Sequence, residues 1–201
     1  MIRYLIISLS LLLSLNSCKP FHIEGKNATV VQDTVVNNYF SDYQQETLYR
    51  ARIEVYGKQL TGLFVAKRIG VATHRMVFTS DFGNTLFDFT LGPDSFQANY
   101  VMDDLNKKII LRVLQRDFAA LVRIDNPVDK RLDLGESWGY ESSEDRKFFR
   151  VNKENGQLEK IVLYSKYKSK VDVSFTTAAQ GQLRTIEIIH HQIDLKIVLT
   201  V

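Results

Sequence analysis

The chain is 201 residues long, 45 % hydrophobic and 24 % charged, with 26 Lys and Arg against 23 Asp and Glu for a formal net charge of +3. That length gives one domain a sizeable core and is short for two, and near-balanced charge without a dense Lys/Arg block argues against a nucleic-acid partner. The only cysteine, Cys18, excludes an intramolecular disulfide and any CxxC redox or sulfur-based zinc site, so the fold must be held by its core.

Arg3 precedes an apolar run from Tyr4 to Leu15, which leads into Leu15-Asn16-Ser17-Cys18. A basic start, a short apolar stretch and small residues before a cleavage point make a secretory signal peptide over 1–17, and the run is too short to span a bilayer as a mature helix. With cysteine at the first mature position, the segment resembles the bacterial lipobox. The resemblance implies a diacylglycerol on the Cys18 thiol, cleavage before it, and acylation of the new amine. Several acyl chains at about 0.8 kcal/mol per CH₂ anchor a protein in effect permanently, whereas one chain does not. Residues 18–28 are then a lipidated tether and 29–201 a single domain. Lys19-Pro20, with no acidic residue directly after Cys18, points by the same resemblance to the periplasmic face of the outer membrane.

Val31, Val35, Tyr39 and Tyr43 recur at about helical spacing and predict a first helix over 29–45. The period then falls to two. Tyr49, Ala51, Ile53 and Val55 alternate with Arg50, Arg52 and Glu54, Gly57-Lys58 turns the chain, and 60–67 alternates again, which predicts a hairpin. Strands are expected at 74–79 and 85–91, separated by Ser80-Asp81-Phe82-Gly83-Asn84. Gly92-Pro93-Asp94 closes the second, and a short strand follows at 96–101. From Leu105 to Val122 the period becomes 3.6, with Ile109, Ile110, Val113, Leu114, Phe118, Leu121 and Val122 on one face and Lys107, Lys108, Arg112, Gln115 and Arg116 on the other. Asp103 or Asp104 is the expected cap of this helix. After Asn126-Pro127 a polar loop is expected, then strands around 138–141, 147–152, 158–164, 171–176, 183–190 and 193–201. Asn155-Gly156 and Gln180-Gly181 are the turn signals among them.

Helix, β-meander, helix, β-meander is a mainly β (α+β) plan. The expected fold is a curled, open antiparallel β-barrel or half-barrel of about ten strands, with helices covering its mouth. Phe64, Met76, Phe78, Phe87, Phe89 and Trp138, with Phe149 and Phe175, are the inward positions. They either line an apolar cavity or fill a core.

No pattern for catalysis appears: there is no G-x-S-x-G, no Gly-rich phosphate loop and no H-E-x-x-H. His190-His191 are neighbours on a strand and point to opposite faces, so they cannot chelate one metal together. His22 falls in the tether and His74 beside a turn. The expectation is a non-enzyme without metal or cofactor. Asp103-Asp104 suit a helix start, Asn27-Ala28-Thr29 is an incidental glycosylation sequon, and Lys166, Lys168 and Lys170 alternate as the solvated face of a hairpin.

Within Tyr56–Val122, the stretch Arg75-Met-Val-Phe-Thr-Ser-Asp-Phe-Gly-Asn-Thr-Leu-Phe-Asp-Phe89 is a strand, a short polar-x-apolar-Gly-polar-Thr loop and a second strand, followed after another strand by a helix with a leucine-rich face. This stretch, with the lipobox and the later Asn155-Gly156-Gln157-Leu158-Glu159-Lys160-Ile161 turn, is similar to the LolB family of outer-membrane lipoprotein receptors. The resemblance implies an apolar-lined open barrel with a helical lid, acting as a monomer. It would accept the acyl chains of client lipoproteins from a LolA-like periplasmic carrier and pass them to the outer membrane. Phe82 matches the family's exposed apolar loop residue and is the implied membrane-facing element, or else it folds back onto the core. The alternative is a structural or interaction lipoprotein of an envelope assembly with a filled core.

Overall fold

The computed structural model describes residues 23, 25–43, 46–166, 168–178 and 181–201. The leader, Cys18, Lys19-Pro20, His22 and Gln180 lie outside the described residues. In chain order the elements are β1 (Lys26–Val36), a 3₁₀ turn (Asn38–Phe40), β2 (Glu46–Val55), β3 (Lys58–Arg68), β4 (His74–Ser80), β5 (Thr85–Leu91), β6 (Phe96–Val101) and α1 (Lys108–Val122). The second half comprises β7 (Asp125–Asp133), β8 (Ser137–Ser142), β9 (Lys147–Asn152), β10 (Leu158–Tyr164), β11 (Ser169–Thr177), β12 (Leu183–His190) and β13 (Leu195–Thr200).

All thirteen strands form one antiparallel sheet, ordered β1-β7-β8-β9-β10-β11-β12-β13-β2-β3-β4-β5-β6, whose ends are not joined. The expectation of about ten strands is corrected to thirteen, chiefly by β1 and β7. The predicted first helix is strand β1, paired with β7 through Asp33↔Val128 and Val35↔Asn126. Its β-branched run Thr29-Val30-Val31 and Thr34-Val35-Val36 suits a pleat better than a helix. As an edge strand exposed over most of its length, with only Val35 buried and Val31 partly so, it shows no alternation, which is why its spacing imitates a helix. The expected polar loop after Pro127 is β7. Pro127 pairs with Thr34 of β1 below the point where β8 joins at Lys130↔Glu141, so its missing N–H breaks no ladder bond to β8. β1 starts at Lys26, within the segment expected to be a tether, and Ile23 packs beside Leu132, Phe148 and Val162 in a cluster apart from the main core.

One α-helix, not two, covers the sheet among the described residues. It starts at Lys108 with Lys107 as its N-cap and no capping side chain, so neither Asp103 nor Asp104 caps it. Met102–Asn106 instead form a separate turn, closed by Leu105 N–H and Asn106 N–H donating to Met102 O, that packs Leu105 against the core. Ile109, expected on the apolar face, is 76 % exposed.

The β2–β3 turn is Tyr56-Gly57, both at positive φ (45° and 75°), one residue before the expected position. That left-handed pair is the type I′ geometry whose twist matches the flanking strands. Consecutive helix residues reveal how strongly the sheet curls. Asp117 meets His190 on β12, while Phe118 meets Phe64 on β3 and Phe87 on β5 at 5.4 and 5.5 Å between ring centroids. β12 and β5 are five places apart in the sheet, about 24 Å if it were flat. Only a sheet wrapped around α1 brings both to one turn of helix.

Candidate functional site

Under the helix, Phe64, Met76, Phe78, Phe87 and Phe89 are at most 1 % exposed. Phe87 and Phe89 stack at 4.5 Å, and Phe118 from α1 packs on Phe64, Phe87 and Phe89. These five expected lining residues come together as a closely packed aromatic cluster beneath the N-terminal strands. Phe149 and Phe175 belong to the same continuous core further round the sheet, with Tyr39 stacked on Phe175 at 4.9 Å. Trp138 does not join them. It lies outside both apolar clusters, between the Arg131 guanidinium (4.8 Å) and the Lys153 ammonium (4.1 Å), at the start of β8.

Phe82 stands at the tip of the β4–β5 hairpin and is 94 % exposed. The loop that carries it is built tightly. Gly83 adopts φ 84°, its N–H donates to Ser80 O (2.9 Å), and Ser80 N–H donates to Asn84 O (2.8 Å). This is a type I turn followed by a left-handed residue, for which glycine is the low-cost choice. Asp81 fastens the tip to the neighbouring strands: its carboxylate accepts from Arg50 Nη1 (2.7 Å) and from the Thr61 hydroxyl, and its N–H donates to Thr61 O (3.2 Å). With Asp81 bound downwards, the side chain that follows it points into solvent.

Gly62 on β3 lies opposite Ser80, where the two backbones approach closely. A Cβ there would collide with the Thr79 carbonyl oxygen and stand 2.8 Å from Ser80 Cα. This close approach lies at the base of the Phe82 loop.

Two buried polar clamps hold the helix and the 3₁₀ turn. His190 Nε2–H donates to Asp117 Oδ2 at 2.7 Å, with side-chain exposures of 3 % and 0 %, and Arg116 Nη2 lies 3.1 Å from the other oxygen. Sequence reasoning missed this pair. Its signal was Asp117 itself, a carboxylate set among Leu114, Phe118 and Leu121 on the apolar face, which has to find a partner. His191, as expected, points the other way and meets Asp172 at 3.2 Å. His74 follows a turn, as expected, yet is 2 % exposed, and its Nε2–H donates to Phe40 O at 2.9 Å; burial holds it below the usual histidine range. At the C-terminal end of α1, Asn37 Nδ2 donates to Leu121 O (2.7 Å), and Asn126 Nδ2 donates to Arg123 O and Ile124 O. Carbonyls at and just after the helix end, which lack intrahelical donors, are thus satisfied from the residue that follows β1 and from β7.

Beside this helix end lies a cavity of about 520 Å³, within the range of small-molecule sites. Leu91, Ala119, Ala120, Val122 and Leu163 form its apolar wall, with exposed Val71 at the rim. Arg116, Arg123, Lys147 and His74 add polar groups, and exposed Asp94 and Asp125 border it. Lys147 stands on the inner face of β9 across from Leu163, its side chain 14 % exposed. Its ammonium lies 3.4 Å from Asp145 Oδ2, which Arg123 Nη1 also contacts at 2.8 Å. Among the described residues no cluster of three His, Cys, Asp or Glu side chains could hold a metal ion, and no helix is long and apolar enough to cross a membrane.

No family model and no curated protein matches the chain. Solved structures do. A LolA superfamily protein from Nitrosomonas europaea superposes with a TM-score of 0.51 at 12 % identity, covering 83 % of this chain and 86 % of that one. A domain described as an outer membrane lipoprotein-sorting protein, from Vibrio parahaemolyticus, gives 0.44 at 6 % identity over 81 % and 85 %. A DUF1329 family protein from Desulfovibrio piger gives 0.43 at 12 % identity over 78 % and 83 %. The first of these shows that the chain has the LolA-type fold, a large open antiparallel sheet curled beneath a helix.

Proposed function

We propose that this protein is a lipoprotein anchored through Cys18 to the periplasmic face of the outer membrane, where it accepts acyl chains of other lipoproteins from a LolA-like carrier and helps to insert them into the bilayer. The reading is LolB-like and involves no covalent step and no cofactor. Binding is driven by burial of alkyl chain against apolar side chains, and release by competition from the membrane. The observation that carries it is Phe82, a large apolar side chain 94 % exposed on a hairpin tip braced by Asp81. Holding it in water is unfavourable, and burying it in a membrane interface recovers about 1.5–3 kcal/mol. The LolA-type fold supports the same reading, because its curled sheet encloses an apolar interior beneath α1.

Phe82→Glu tests the loop. Transfer of a fluorescent lipoprotein from loaded carrier to outer-membrane vesicles should fall at least about tenfold, while thermal stability stays within about 0.5 kcal/mol of the parent. Equal transfer by Phe82→Glu would remove the membrane role from this residue. Depleting the protein in cells tests the whole reading: lipoproteins that still fractionate normally with the outer membrane would overturn it.

A second reading, an anchored structural or interaction subunit with a filled core, is favoured by one observation, the aromatic cluster sealed between Phe118 and the N-terminal strands. A chain enters that region only if α1 lifts. The cavity at the helix end requires no such movement.

A further inference from the structure

The cavity at the C-terminal end of α1 has a charge pattern that an alkyl chain alone does not use. Lys147 and Arg123 both lie against one carboxylate oxygen, Asp145 Oδ2, at 3.4 and 2.8 Å. Two cations share this one carboxylate oxygen, while exposed Asp94 and Asp125 stand at the border of the cavity. The arginine has the shorter contact and also donates from Nε to Asp125 O (3.0 Å), so Lys147 is the less well satisfied of the two. Its side chain is 14 % exposed, and burial lowers its pKa from the ordinary lysine range, as expected for an ammonium short of solvation. Beside this charge the lining is apolar through Leu91, Val122 and Leu163, the last being the cross-strand neighbour of Lys147, and the helix contributes only the small side chains of Ala119 and Ala120.

We infer that this cavity binds an amphiphile with a single anionic head group, the head seated against Lys147 and Arg123 and the start of its alkyl chain along Leu91, Val122 and Leu163. The inference deepens the acyl-binding reading and rests on it for the alkyl half of the ligand. An anion brought to a half-desolvated ammonium forms a charge-assisted hydrogen bond, stronger than one made in water, and the chain adds burial that a bare ion lacks.

Full-length protein in lipid discs is photo-labelled with diazirine-bearing dodecanoate, dodecyl phosphate or dodecanol, and the labelled peptides are mapped by mass spectrometry. Both anionic probes should label peptides containing Ala119–Ile124 and Leu163, at least about tenfold more than the alcohol does. Lys147→Gln and Arg123→Gln should each cut the anionic labelling to the level of the alcohol, and Lys147→Arg should restore most of it. Circular dichroism and melting temperature confirm that each variant is folded.

Equal labelling by acid and alcohol at these peptides would overturn the head-group inference and leave the acyl-binding reading standing. No labelling by any probe in the cavity or elsewhere in the interior would overturn both. Loss of the label on adding excess acetate would reduce the site to one for small anions. Preference for dodecanoate over dodecyl phosphate, or the reverse, identifies whether a fatty acid or a phosphate-bearing lipid is the source.

Discussion

Asp117 is a carboxylate in the middle of the apolar face of α1, and what makes it tolerable is one histidine five strands away from the helix's aromatic contacts on β5. Replacing His190 by Ala leaves Asp117 buried beside Arg116 alone and should destabilise the protein by roughly 3–5 kcal/mol in urea unfolding, whereas Asp117→Asn, which keeps an acceptor, should cost less. His74 makes a different prediction. Burial lowers its folded pKa below the ordinary value of 6.5, so the unfolded chain takes up a proton first as the pH falls. Its contribution is therefore complete above about pH 6.5 and is lost as the pH drops from there through the folded pKa. Melting temperature between pH 7.5 and 5 should fall less in His74→Gln than in the parent; parallel curves would refute it. Phe82 shows what a residue's neighbours decide. Its type and its place before Gly83 are visible in the sequence, but exposed and folded-back positions fit that pattern equally, and only the bonds from Asp81 to Arg50 and Thr61 select the exposed one.

Among the elements, those bounded by clear turn residues are the ones the sequence locates best. β5, β6, β9, β10 and β12 begin and end where it places them, and α1 ends at Val122 as its apolar face predicts. β1 and β7 do not follow this pattern. β1 is exposed over most of its length, burying only Val35, and takes its structure from pairing with β7, and β7 is polar enough to resemble a loop until β1 and β8 satisfy its backbone. The β3–β4 pair adds a constraint that periodicity does not contain. Gly62 permits a close backbone approach that any side chain blocks, so Gly62→Ala should destabilise the domain by about 2–3 kcal/mol and loosen the Phe82 loop. Hydrogen exchange at Asn84 and Gly83 would report the second effect, and unchanged protection there would show that the close approach at Gly62 does not support the loop.

Across the whole molecule, carboxylates on several strands are tied to cations or to hydroxyl and amide donors. Asp88 with Arg75, Asp133 with Lys153, Glu159 with Asn152, Ser137 and Arg150, and Asp172 with Lys160 and Ser169 are all held below their ordinary range of about 3.8–4.5. Depressed carboxylate pKa values give stability that is present above that range and lost as the pH falls through the folded values, so acid unfolding should set in below about pH 4, separately from the His74 step. A single transition confined to pH 5–6.5 would contradict this. The sequence by itself determined the mainly β class, the period of most strands, the amphipathic helix, the lone cysteine and the candidate Phe82, because each depends on spacing or composition along the chain. The tertiary structure alone decided the thirteen-strand order, the wrapping of the sheet around α1, the Asp117–His190 clamp and the cavity joining Lys147 to Leu163. Each of these brings together residues far apart in the chain, and curvature, unlike periodicity, is a property of strands packed against one another.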